Sequence, residues 1–130
     1  VVMIEASVGE KVMIPPGYGH VTINPGGEEL VMANLVSSDF SSDYGPYIER
    51  RGAAYYEMEG GALVKNPRYP DAPPMRCCDP VEVPELGIRR ETRLYDLVGQ
   101  PRSVAFLNRP EEFMGIMAGA LRRVPQRGRR

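Results

Sequence analysis

The stretch Gly9–Asn24, GEKVMIPPGYGHVTIN, holds the only histidine of the chain, His20. An alternating segment (Val12, Ile14) runs into Pro15, Pro16 and Gly17, and a second alternating segment starts at His20. Proline holds φ near −65° and glycine admits φ > 0, so the pair builds a sharp corner between two extended segments. Side chains on a strand alternate between faces, so His20, Thr22 and Asn24 share one face while Val21 and Ile23 take the other. A lone histidine in a domain is ordinarily a surface or hydrogen-bonded residue. Here it opens a strand directly after a stiff turn, where its ring can serve as a metal ligand.

Outward from this stretch, the chain reads as all-β over its first half. Val1–Glu5 is apolar and β-branched and reads as a strand already inside a sheet, the opening expected of a portion of a longer protein. Lys11–Pro15 and His20–Asn24 are the next strands. Asn24-Pro25-Gly26-Gly27 predicts a type II turn, with proline and glycine at its central positions. Glu29–Val36 (ELVMANLV) follows as the longest apolar run, and the segments together predict an antiparallel meander. Ser37–Tyr47 (SSDFSSDYGPY) is a polar loop with clustered aromatics and hydroxyls, either a binding loop or an ordinary connector. Ala53–Met58 and Ala62–Lys65 flank Gly60-Gly61 as a hairpin.

The remainder changes character. Asn66–Asp79 is rich in proline and reads as an irregular excursion, and Val81–Leu86 is a short edge-type strand bounded by Pro80 and Pro84. Leu94–Val98 and Ser103–Leu107 are short apolar pieces. Pro110-Glu111-Glu112 opens a helix with Asn108 or Arg109 near its cap, since proline suits the first turn and acids suit the positive end of the dipole. Phe113, Ile116, Met117 and Ala120 recur at helical spacing, which predicts one apolar stripe whose methionine fills a core.

The chain has 130 residues, one domain's worth, with 42% hydrophobic and 25% charged residues, as in globular proteins. Its 14 glycines and 13 prolines suit a turn-rich β chain better than a helical bundle. No apolar run approaches the ~20 residues of a membrane helix, and no signal peptide is recognised, so a cytoplasmic location and no membrane partner are expected. A net charge of −1 conceals an asymmetry, because Arg122, Arg123, Arg127, Arg129 and Arg130 crowd the C-terminus. Such a tail reads as a solvated terminus or as a contact for an acidic partner. No aromatic residues interleave with it, which argues against nucleic acid. Cys77 and Cys78 are neighbours, bridge only with strain, and are expected as reduced thiols.

The spacing G-x5-P-x-G-x2-H-x3-N, here Gly9, Pro15, Gly17, His20 and Asn24, resembles the second motif of the cupin superfamily. INPGGEELVMANLVSSDFSSDYGPY and GAAYYEMEGG narrow the likeness to the cupin-type phosphoglucose isomerases over roughly residues 1–65. KNPRYPD and FLNRPEEF resemble that family more weakly. The resemblance implies a cupin double-stranded β-helix, a jelly-roll barrel, with residues 1–65 as its C-terminal half. Residues 66–130 then form an irregular extension with a short strand and a C-terminal helix. It further implies a homodimer acting in glycolysis and gluconeogenesis that interconverts glucose 6-phosphate and fructose 6-phosphate. A divalent metal ion (Fe, Zn, Ni or Mn) would be held by an HxH pair, a Glu and a later His. His20 matches the later His, and Tyr44 matches a tyrosine lining the sugar phosphate pocket. Ser42 and Val36 stand where many members carry His and Tyr.

One imidazole does not hold a first-row divalent ion, which takes three or more protein ligands. Glu28 and Glu29, in or just after a turn, read as solvated carboxylates. The missing ligands, and with them the catalytic base, would come from upstream of Val1 or from another chain. Closing a barrel takes about eight strands, against roughly five or six here, which leaves edges to be paired. The rival expectations are a non-catalytic sugar-binding or regulatory cupin domain, and a different cupin enzyme such as a dioxygenase, because one fold hosts many chemistries.

Overall fold

The computed structural model describes residues 1–100 and 102–123. The arginine-rich tail lies outside the described residues from position 124 onward, as do the side chains of Arg122 and Arg123.

Strand β1 (Val2–Ile4) pairs in parallel with a strand at Arg76–Cys78, in register Val2 to Arg76, Met3 to Cys77 and Ile4 to Cys78. Bonds from Arg76 N–H to Val1 O (3.0 Å) and from Glu5 N–H to Cys78 O (3.1 Å) extend the ladder. The opening segment is therefore a strand, as its β-branched residues predict. Its partner lies in the stretch expected to be wholly irregular. That strand is three residues long and flanked by Pro73, Pro74 and Pro80, so its own sequence shows no alternation to read. Cys78 is fully buried, Cys77 is half-buried, and both are free thiols, as expected.

The hairpin forms where the sequence places it. Strands β2 (Tyr55–Glu57) and β3 (Leu63–Lys65) pair antiparallel, with Tyr56 opposite Val64. Gly60 and Gly61 both take positive φ, at 90° and 83°, which a residue with a Cβ tolerates poorly. The Arg76–Cys78 strand is β4 in chain order.

Between β1 and the first helix, the structure departs from the expected meander. Lys11–Pro15, His20–Asn24 and Glu29–Val36 form no ladder with one another among the described residues. Val12, Ile14, Val21, Ile23, Val31 and Met32 stay exposed. The physical reason is that a strand exists only with a neighbour. An extended segment without one leaves its N–H and C=O groups to water, and hydrophobic alternation alone does not close a sheet. The expected corner does form: Tyr18 N–H bonds to Pro15 O at 3.3 Å around Gly17, whose φ is 77°. The type II turn at Asn24 does not. Gly26 keeps φ outside the positive region, and the Asn24 side chain makes the turn instead. Its Oδ1 accepts from Gly26 N–H (3.1 Å) and its Nδ2 donates to Glu28 O (2.7 Å), the local bonding at which asparagine excels.

Helix α1 (Gly45–Glu49) begins inside the stretch Ser37–Tyr47 expected as loop, because Pro46 suits the first turn of a helix and starts it there. The C-terminal part is helical and holds the core. Val83 and Ile88 exchange two backbone bonds (2.8 and 3.1 Å) across a single turn of 3-10 helix at Pro84–Leu86, closed by Gly87 at φ 71°. The expected strand at Val81–Leu86 is thus reduced to one bridge, because Pro84 ends it and starts a helical turn. Leu94–Leu97 forms another 3-10 segment, and α2 (Ala105–Asn108) a single helical turn. Pro110–Phe113 then leads into α3 (Met114–Arg123), the helix the sequence predicts.

Met117 and Ala120 of α3 are buried with Val83, Leu86, Ile88 and Phe106, and Phe113 and Ile116 pack beside them. The stripe faces the core as its period requires. Met13, from the motif stretch, packs against the same cluster. None of the described helices is long and apolar enough to cross a membrane.

Candidate functional site

His20 is exposed and lies on the segment that leaves the Pro15–Tyr18 turn. Tyr44 caps the N-terminus of α1 with 66% of its surface exposed, and its carbonyl accepts from Tyr47 N–H and Ile48 N–H, both at 3.1 Å. Asp43 Oδ1 accepts from Gly45 N–H at 2.9 Å and fixes the approach to the helix. The two segments meet at Gly19 and Tyr47. A methyl group placed on Gly19 would collide with the Tyr47 hydroxyl, so the residue preceding His20 lies directly against the helix that Tyr44 begins.

Tyr47 is held from several sides. Its carbonyl accepts from Gly52 N–H at 2.8 Å. Tyr69 donates its hydroxyl to Gly52 O at 2.9 Å, and the Arg50 guanidinium lies 4.7 Å above the Tyr69 ring, a cation–π distance. Burial, with a smaller contribution from Tyr69, pushes the Tyr47 hydroxyl above its ordinary value of 10.0. The chain reverses through Arg51 (φ 55°) and Gly52 (φ 116°), and Tyr56 donates to Arg51 O at 2.8 Å.

Asn66 pins this reversal from beneath. It is 1% exposed, and its Nδ2 donates to Arg50 O (3.0 Å) and Ala53 O (2.9 Å) while Oδ1 accepts from Arg68 N–H (3.0 Å). Tyr47, Gly19 and Asn66 are absent from the sequence-based set of site residues. Asn66 stands before a proline in NPR, a turn signal that marks the loop without showing that the side chain is buried. Gly19 has one available cue, a glycine beside His20 in a position where no turn is needed. Tyr47 offers none.

The opposite end of the motif is tied down as well. Lys11 Nζ donates to Gly9 O and to Arg90 O, both at 3.0 Å, Arg90 pairs with Glu10 at 3.8 Å, and Arg90 N–H bonds to Glu82 Oε1 at 2.7 Å. These charges serve the packing of the motif on the C-terminal part.

A metal ion needs more than His20 offers. Among the described residues no three His, Cys, Asp or Glu side chains gather to hold one, and Glu28 and Glu29 are exposed. The residues present do not make a complete metal site. They present one imidazole nitrogen on a segment braced against α1.

Comparison with known proteins gives the class. The family model described as Glucose-6-phosphate isomerase (GPI) matches residues 1–74, which include the motif, Tyr44 and the hairpin. The chain belongs to this glucose-6-phosphate isomerase family, the cupin-type phosphoglucose isomerases that its motif resembles. It is 36% identical over 63 residues to a glucose-6-phosphate isomerase of Thermococcus gammatolerans, an alignment covering 47% of this chain and 33% of that protein. The chain thus spans about a third of the length of the curated relative it matches. No solved structure matches. Most of the core residues, from Val83 to Ala120, lie outside the family match.

Proposed function

We propose that this chain is a portion of a metal-dependent sugar phosphate isomerase that interconverts glucose 6-phosphate and fructose 6-phosphate. His20 supplies one ligand to a divalent ion (Fe, Zn, Ni or Mn), and Tyr44 lines the sugar phosphate pocket. The observation that carries the reading is the family match over residues 1–74, which contains His20 within the motif spacing and Tyr44 beyond it.

The remaining ligands come from sequence upstream of Val1 or from a second chain. In this reading residues 1–65 are the C-terminal half of a jelly-roll barrel, residues 66–130 its extension, and the assembled protein a cytoplasmic homodimer. The apolar side chains left exposed on Val12, Ile14, Val21 and Ile23 support it, since barrel closure would bury one face of each extended segment. A single imidazole offers far too little to hold the ion alone, so this chain by itself is expected to be inactive.

The test is isomerisation by a longer protein that includes the upstream sequence. Chelation with EDTA should abolish turnover and re-addition of a divalent ion restore it, and His20→Ala should lower metal affinity. Turnover that survives both metal removal and His20→Ala would sink the reading. Saturable sugar phosphate binding without turnover would favour a non-catalytic sugar-binding or regulatory cupin domain.

A further inference from the structure

We propose that Tyr47 is a positioning residue for His20: its hydroxyl, seated on Gly19, sets the imidazole-bearing segment against the helix that carries Tyr44. This rests on the reading of His20 and Tyr44 as site residues, while the contact itself is independent of that reading.

Three observations converge on it. First, Gly19 does not adopt positive φ, so no left-handed backbone calls for glycine there; instead a Cβ at this position would meet the tyrosine oxygen, and one of the two would have to shift. Second, Tyr47 is a fixed post. Its N–H donates to Tyr44 O (3.1 Å), its carbonyl accepts from Gly52 N–H (2.8 Å), and Gly52 is itself held by the Tyr69 hydroxyl (2.9 Å). Third, the post sits one helical turn from Tyr44 and against the residue preceding His20, so it joins the segments that bear the two site residues. Burial favours the neutral hydroxyl, which suits a group packed against backbone.

The test uses the fact that the chain has a single histidine, whose ring resonances in a proton–carbon correlation spectrum are unambiguous. Gly19→Ala should move the His20 ring resonances and the Tyr44 and Tyr47 amides, because the methyl displaces the tyrosine. Tyr47→Phe keeps the ring and removes the oxygen. In that background Gly19→Ala should move the His20 resonances much less, because the methyl takes the vacated space. Equal shifts in both backgrounds would overturn the proposal. Should Gly19→Ala not fold, Tyr47→Leu serves instead: a shift of the His20 resonances supports the contact, and unchanged resonances overturn it. No metal or substrate enters this measurement. A failed isomerase reading would show as metal-independent turnover of the longer protein, with the coupling between Gly19 and Tyr47 unaffected.

Discussion

Lys11 donates from Nζ to the carbonyl of Arg90, 79 positions later in the chain, at 3.0 Å. The same ammonium holds Gly9 O at 3.0 Å, so it joins the first glycine of the histidine motif to a segment outside the family match. Met13, two residues later, is half-buried and packs against the C-terminal core. The part of the chain that the family model matches is thus anchored on a part outside that match.

Replacing Lys11 by Met keeps much of the stem and removes both donors. Hydrogen bonds to a charged group are worth about 1.5–3 kcal/mol when well buried, and partial exposure of Lys11 puts the expected loss near the lower end, about 1–2 kcal/mol. Urea unfolding of the chain measures it. Amide hydrogen exchange should also quicken across Gly9–Tyr18, while β2 and β3 stay unchanged.

Met117 and Met114 test the apolar stripe of α3. Met117 is 2% exposed and Met114 40% exposed. Met117→Ala should cost about 2–5 kcal/mol through lost burial and the cavity left behind, whereas Met114→Ala should stay within about 0.5 kcal/mol. Equal losses in denaturant unfolding would show that the stripe is turned differently.

Asn66→Ala should destabilise the chain by about 1–3 kcal/mol, because it strands the carbonyls of Arg50 and Ala53 and the N–H of Arg68. Loosening of the reversal at Arg51–Gly52 should follow and free the Tyr69 ring, lowering its fluorescence anisotropy relative to the parent chain.

Tyr47 predicts a pH dependence. Its folded pKa is raised above the ordinary 10.0, first by burial and then by Tyr69, so the folded state holds its proton more tightly than the unfolded chain does. Its contribution to stability is fully present below pH 10.0 and is lost as the pH rises through the folded value. Melting temperatures across the alkaline range should fall less steeply for Tyr47→Phe than for the parent.

The features legible in the sequence are chiefly local. The Pro16-Gly17 corner, the Gly60-Gly61 hairpin and the stripe of α3 each depend on φ limits or side-chain periodicity within a few residues, and each is present. Motif spacing also points to the family, because fixed glycine, proline, histidine and asparagine positions are properties of the sequence itself. The expected meander goes unmade for a physical reason: alternation says which face of a strand is apolar and nothing about which neighbour completes the ladder. The pairing of β1 with β4 joins positions far apart in the chain, which no local pattern encodes. Tertiary structure likewise decides the surroundings of His20. The sequence marks the histidine, and folding alone lays Tyr47 on Gly19, fixes Asn66 beneath the reversal after α1, and ties Lys11 to Arg90. Close approach, burial and long-range hydrogen bonds come into being only when distant segments meet.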